Sequence, residues 1–167
     1  QSLIMNIHEC VKISFSNTLR NETKENWDVY PPIGRNNPEL KIYGLLKGKD
    51  QDLVFLPVKL NPTAISDGPN SGETDEVGAM TTSKAVVVGV RSQMSSVDKN
   101  FDTLMERAFA ETLNLRLRTP VLTMGEVYLL PLKELDDKAM LKNQVCFKSK
   151  KVNVAKFVKI FNAFSNR

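Results

Sequence analysis

The chain has 167 residues, 41% hydrophobic and 25% charged, with a formal net charge of +4. That length suits one domain of ordinary size, and the composition reads as soluble and globular rather than disordered. No apolar run approaches the ~18 residues of a membrane span, the single histidine, His8, argues against a His-rich metal site or a Ser-His-Asp triad, and the two distant cysteines, Cys10 and Cys146, set among apolar residues, read as buried thiols of a reducing, cytoplasmic compartment.

Residues 2–20 place Ile4, Ile7, Val11, Phe15 and Leu19 at helical spacing, which predicts an amphipathic helix with Glu9 and Lys12 toward its polar side. Residues 21–38 are polar and carry Pro31, Pro32 and Gly34, so they read as loop. Residues 41–46 and 52–60 read as two strands joined by the turn KGKD into a hairpin. The stretch GLLKGKD imitates a phosphate-binding loop, but its glycines sit one residue too close and Asp50 stands where Ser or Thr would hold magnesium. Residues 61–73 hold Pro62, Gly68, Pro69, Asn70 and Gly72; a loop of that length in a compact domain is usually functional or mobile.

Residues 77–80 read as a short strand and 81–83 as a turn into the apolar run 85–88, whose β-branched residues predict a buried strand over 85–92. Arg91 and Gln93 stand at its exit, followed by Ser95 and Ser96 as helix N-caps. Residues 96–118 then predict a long helix with Val97, Phe101, Leu104, Met105, Ala108 and Thr112 on one face, stopped by Pro120. Residues 125–132 read as a further buried strand, 134–142 as a short charged helix, 145–147 as an edge strand and 153–164 as a C-terminal helix. The order predicts one α/β domain over residues 1–167: a mixed central β-sheet with strand 85–92 in its interior, flanked by helices 2–20 and 96–118, and no internal repeat.

Charge is uneven along the chain: net −3 over residues 1–83, +2 over 84–124 and +5 over 125–167. That asymmetry suits a polyanionic partner on one face, and equally a solvated surface with an accidental imbalance. Lys148, Lys150, Lys151, Lys156 and Lys159 form an acid-free run within and before the C-terminal basic helix. On a nucleic-acid protein such lysines contact phosphates and make affinity fall with salt; otherwise they are a solvated helix entry.

The segment TDEVGAMTTSKAVVVGVRSQ, residues 74–93, is similar to the core of the PD-(D/E)XK nuclease superfamily: an acid at a strand start, a glycine-bearing hairpin turn, then a hydrophobic strand ending in a base and a polar pair. RSQMSSVDKNF resembles the Lys-Ser-Gln segment of some type II restriction endonucleases, and GEVYLLPL resembles the strand after their core helix. The likeness spans residues 40–132. It implies a restriction-endonuclease-like core, metal-dependent hydrolysis of phosphodiesters in double-stranded DNA, and a homodimer, because cutting both strands of a symmetric site takes two centres.

Such hydrolysis uses a divalent metal to polarise the phosphoryl oxygen and acidify a water, and carboxylates suit magnesium. The resemblance makes Asp75 the first carboxylate and puts Arg91 at the catalytic lysine position, pointing toward Asp75, with a purely electrostatic role because Arg does not deprotonate. Gly89 stands where the second carboxylate belongs. On that resemblance Glu106, 15 positions after Arg91, would be the migrated replacement, so that Asp75 and Glu106 would hold the magnesium; otherwise Glu106 is a solvated partner of Asp102 or Arg107. Glu111 is the second choice, and Glu9 is either a candidate extra ligand or a surface acid of the first helix. Gln93 would contact phosphate or orient a water, or else bond backbone at the strand end. Lys148, Lys150, Lys151 and Lys156 would meet DNA. Gly89 and Arg91 favour a second reading, a nuclease-fold DNA-binding or specificity subunit without catalysis. A protein–protein scaffold, which needs no basic face, is the third.

Overall fold

Helix α1 (Ser2–Thr23) opens the computed structural model, which describes residues 2–165. The chain continues through β1 (Asp28–Tyr30), β2 (Leu40–Tyr43), β3 (Gly48–Gln51), β4 (Leu53–Leu56), β5 (Thr63–Ala64), β6 (Thr74–Asp75), α2 (Ala79–Thr82) and β7 (Val86–Ser92). After these come α3 (Phe101–Arg118), β8 (Thr123–Leu129), β9 (Lys133–Leu135), α4 (Asp137–Met140), β10 (Phe147–Lys151) and α5 (Val154–Ser165). Residues pack as two compact units, one of Gln1–Arg91 with Arg107–Val127 and one of Ser92–Glu106 with Tyr128–Arg167, so the division passes through β7, α3 and β8.

The first unit is built on a mixed four-stranded sheet in the order β1-β4-β7-β8. β1 runs antiparallel to β4, and β4 antiparallel to β7, with Leu53 opposite Val88 and Phe55 opposite Val86. Side chains alternate across it. Leu53, Phe55, Val88 and Val90 meet Ile4, Ile7, Val11 and Leu19 of α1 on one face. Val54, Leu56 and Val87 meet Ile42, Val77, Leu122 and Leu115 of α3 on the other. A strand covered on both faces reads as a continuous apolar run, which is why LVFL carries no polar alternation. The α/β class, the flanking helices and the interior position of strand 85–92 match the sequence expectation.

The second unit has a smaller core, in which Val97, Phe101, Leu104 and Phe157 pack with Tyr128, Ile160 and Phe161. Phe101 and Phe157 meet edge to face with ring centroids 4.8 Å apart, a favoured aromatic geometry. β9 and β10 pair antiparallel as a separate ribbon. Among the described residues no helix is long and apolar enough to cross a membrane.

Several expectations are corrected. The expected hairpin of strands 41–46 and 52–60 does not form. β2 pairs instead with β3, so Gly48, Lys49 and Asp50 of the expected turn are strand residues. The turn is Gly44 to Lys47, where Gly44 N–H donates to the Lys47 carbonyl at 3.0 Å. Asn114 of α3 explains the shift: its Oδ1 accepts from Leu46 N–H at 2.8 Å and its Nδ2 donates to the Lys47 carbonyl at 3.0 Å. A contact from so far along the chain overrides the local turn signal.

Residues 77–80 are not a strand. Asp75 Oδ1 accepts from the N–H groups of Val77 and Gly78 at 3.1 and 3.0 Å, an Asx-type turn. Gly78 then takes φ +81, a left-handed conformation that glycine tolerates, and α2 begins. Asp75 therefore ends β6, which pairs with β5, and does not start a hairpin with β7. Residues 28–30, read as loop, form β1. The long helix starts at Phe101 rather than Ser96, because Ser96 has φ +51 and Val97 N–H donates to the Glu134 carboxylate at 2.5 Å. Of the expected helix 134–142 only Asp137–Met140 is helical, capped by Asp136. The expected edge strand 145–147 begins at Phe147 and takes in Lys148, Lys150 and Lys151.

Both cysteines are exposed rather than buried. Lys12 is the opposite case, only 1% exposed. Its ammonium bonds Glu9 at 2.5 Å and the carbonyls of Arg35 and Pro32 at 2.6 and 3.3 Å, tying the proline-rich loop to α1.

Candidate acid–arginine site

β7 carries Val87, Gly89 and Arg91 at alternate positions, so the apolar core under α3 gives way to a cation at the strand end. Arg91 is held from two sides. Its Nη2 donates to Glu111 of α3 at 2.6 Å, and its Nε and Nη2 donate to Glu126 of β8 at 3.0 and 3.4 Å. The other oxygen of Glu111 accepts from Lys49 of β3 at 2.6 Å. Asp52, just before β4, accepts from Val90 N–H at 2.8 Å. Charge-assisted bonds of this length are among the stronger polar contacts in proteins.

Gly89 is part of the same construction. A Cβ there would lie 2.7 Å from Glu126 Oε2, closer than real contacts allow. The carboxylate of Glu126 thus occupies the space over the glycine.

The electrostatics are graded. Burial opposes the charge on Arg91, but the bonds to Glu126 and Glu111 outweigh it and raise its pKa. Burial pushes Glu111 up, and the bonds from Lys49 and Arg91 outweigh that and bring it below its ordinary value. Glu126 ends above its ordinary value: burial raises it, Arg91 pulls it down, and repulsion from Glu111 and Asp52 adds to the rise.

Beside Glu111 lies a cavity of about 340 Å³, bordered by Lys47, Lys49, Arg91 and Arg107. Glu111 is its one acidic lining residue. The Asn114 clamp on the 44–47 turn fixes the wall that carries Lys47. Gly44 is required there, since a Cβ would stand 2.3 Å from Asn114 Nδ2.

The residues expected from sequence fall in several places. Asp75 is 1% exposed and fully engaged: Oδ1 holds Val77 and Gly78, and Oδ2 meets Arg118 at 3.4 Å. Arg91 points to Glu111 and Glu126 instead of Asp75. Glu106 is exposed on α3 and belongs to the second unit, whereas Asp75 belongs to the first. Gln93 donates to the Ser95 carbonyl, a backbone bond at the strand end. Glu9 secures a loop, accepting from Lys12 and, at 2.8 Å, from Gly34 N–H.

In the second unit Lys148 bonds Glu134 at 2.8 Å and Asp137 at 3.3 Å, and Lys150 bonds Asp98 at 2.6 Å. The Lys156 ammonium stands 3.3 Å from the Phe101 ring centroid, whereas Lys151 is exposed. Three of the four expected DNA-binding lysines thus already have partners.

Sequence reasoning missed Asp52, Glu126, Lys49, Lys47 and Arg107, and ranked Glu111 second. One signal was available: an acid inside the apolar strand GEVYLLPL is a buried acid, which needs a partner.

No family model, no curated protein and no solved structure matches this chain.

The residues do not fit magnesium. Asp75 has no free oxygen, and Glu111 and Glu126 are engaged by Arg91 and Lys49. Among the described residues no group of three or more His, Cys, Asp or Glu could hold a metal ion.

Proposed function

We propose that this chain is a DNA-binding module with a restriction-endonuclease-like core and no metal-dependent cleavage. The observation that carries the reading is the cavity beside Glu111, whose lining holds Lys47, Lys49, Arg91 and Arg107 and a single acid. Backbone phosphates are what such a surplus of Lys and Arg binds, whatever the sequence. The element order supports the core: a helix, three strands that follow the chain order across the sheet, a helix, and a fourth strand beside the third.

Arg91, tied to two acids, holds the lysine position without being able to act as a base. A second reading, the DNA-directed phosphodiester hydrolase, is favoured by one observation. Glu126 places a carboxylate over Gly89, so the strand's missing acid is replaced from β8.

Fluorescence anisotropy with duplex DNA, and plasmid nicking in magnesium or manganese, separate the readings. The module should bind DNA with an affinity that falls steeply between about 50 and 200 mM salt, and should cut in neither metal. Lys49→Ala and Arg107→Ala should each weaken binding across sequences and reduce the salt slope by about one ion. Nicking in either metal would overturn the module in favour of the hydrolase. An absence of salt-dependent binding would end both.

A further inference from the structure

We infer that Glu111 is a built-in stand-in for a phosphate, and that its cavity is a single-phosphate site which a phosphate group enters by displacing Glu111 from Lys49 and Arg91. The inference rests on the reading of this cavity as an anion site, and it adds the atoms that receive the phosphate and the group that must leave.

Each oxygen of Glu111 takes one charge-assisted bond of 2.6 Å, one from Lys49 and one from Arg91. Those two donors, spread over two oxygens, present to a carboxylate the arrangement that also receives two oxygens of a phosphate. Arg91 does not depend on Glu111 for its position. Arg91 has its own anchor in Glu126, through bonds of 3.0 and 3.4 Å, so its guanidinium stays aimed at the cavity when Glu111 leaves. Lys47 is carried by a turn that Asn114 holds at both its Oδ1 and its Nδ2. Arg107 lies four residues before Glu111 on α3 and lines the same cavity.

A phosphate offers more acceptor oxygens than a carboxylate. It satisfies Lys49 and Arg91 as Glu111 does and leaves acceptors for Lys47 or Arg107. Glu111 lies in the interior of α3, half-buried, and keeps 14% of its side chain exposed, a route out to solvent. While it stays in place it competes with the ligand, so the site's apparent affinity is reduced by the fraction of molecules in which Glu111 occupies it.

The test uses inorganic phosphate as the probe, followed by isothermal titration calorimetry on the full chain, with duplex DNA in a separate anisotropy arm. Removing a charge so close to the ligand should strengthen phosphate binding by about tenfold or more in Glu111→Gln. Glu39→Gln, the same charge change at an exposed position, should alter it by less than about twofold. Lys49→Met should weaken phosphate binding in the wild-type background and remove the gain in Glu111→Gln.

Equal behaviour of folded Glu111→Gln and Glu39→Gln overturns the inference. If Glu111→Gln does not fold, Lys49→Met decides, and unchanged phosphate affinity overturns it. A phosphate gain without any DNA binding keeps the site and sinks the DNA reading. DNA binding that ignores both Glu111→Gln and Lys49→Met, with no phosphate gain, sinks the site and leaves the DNA reading to another surface.

Discussion

Replacing Asp75 separates a structural acid from a metal ligand. Its carboxylate holds two backbone N–H groups, at 3.1 and 3.0 Å, and one guanidinium, at 3.4 Å, while its own exposure is 1%. Asp75→Ala leaves the Val77 and Gly78 amides without their acceptor, at about 1–3 kcal/mol for each buried group. It also leaves Arg118, whose side chain is 13% exposed, without its partner. The Arg118 contact is long, so its loss belongs at or below the low end of the ~3–5 kcal/mol seen for broken buried pairs. A total of about 2–9 kcal/mol follows, and its centre of about 5 kcal/mol corresponds to roughly 10–20 °C in melting temperature for a chain of this size. Asp75→Asn keeps an oxygen for both amides and loses only the charge opposite Arg118, which makes it milder, at about 1–2 kcal/mol. Thermal unfolding followed by circular dichroism in EDTA measures both variants, and the wild type with added magnesium serves as the control. A metal ligand behaves the other way: without metal Asp75→Asn would be as stable as the wild type, and magnesium would stabilise the wild type alone. That outcome would refute the capping role.

Two further predictions concern the acid–arginine site. Gly89→Ala puts a Cβ 2.7 Å from Glu126 Oε2, so the carboxylate must yield and carry its bonds away from Arg91; the expected cost is about 1–3 kcal/mol. In a Glu126→Ala background the same substitution should cost at least about 1 kcal/mol less, and strict additivity in urea denaturation would show that the two residues do not interact. Glu126 should also leave a signature in pH. Burial, with help from Glu111 and Asp52, raises its pKa above the ordinary 4.5, so the folded chain holds this proton more tightly than the unfolded chain. Its contribution to stability is therefore full below pH 4.5 and declines as pH rises through the raised value. The wild type's stability relative to Glu126→Gln should accordingly fall with rising pH in that window, and a difference that grows with pH would contradict it.

The elements legible in the sequence are those whose packing is one-sided or periodic. α1 shows its face in Ile4, Ile7, Val11 and Leu19 because all four meet the sheet. β7 shows itself as a run of β-branched residues because both of its faces are covered. What stayed illegible depends on contacts between distant residues. β1 is three residues long with an exposed first position, too short for any period to register. The 44–47 turn is set by Asn114, which no local rule connects to Gly44. Lys12 looks like a polar-face lysine and is buried because two carbonyls of a loop reach it.

The candidate site follows the same physics. Arg91 was legible as a cation at the end of a buried strand, since strand ends in α/β sheets are where sites are built. Its partners were not, because an arginine's choice of carboxylate is decided in space. Asp75 is the nearer acid in sequence, 16 positions before Arg91, against 20 positions to Glu111 and 35 to Glu126 after it. The sheet order reverses that ranking. β8 lies beside β7, so Glu126 comes from the adjacent strand, whereas β6 pairs only with β5 and leaves Asp75 to the α2 turn and Arg118. Gly89 is the visible trace of that arrangement. A glycine in the middle of an otherwise β-branched strand weakens it unless something needs the space, and here the Glu126 carboxylate fills it. A missing side chain in a buried strand is thus grounds to look for a polar residue on the neighbouring strand. That search leads to the acid in GEVYLLPL, which has no polar neighbour of its own to satisfy it.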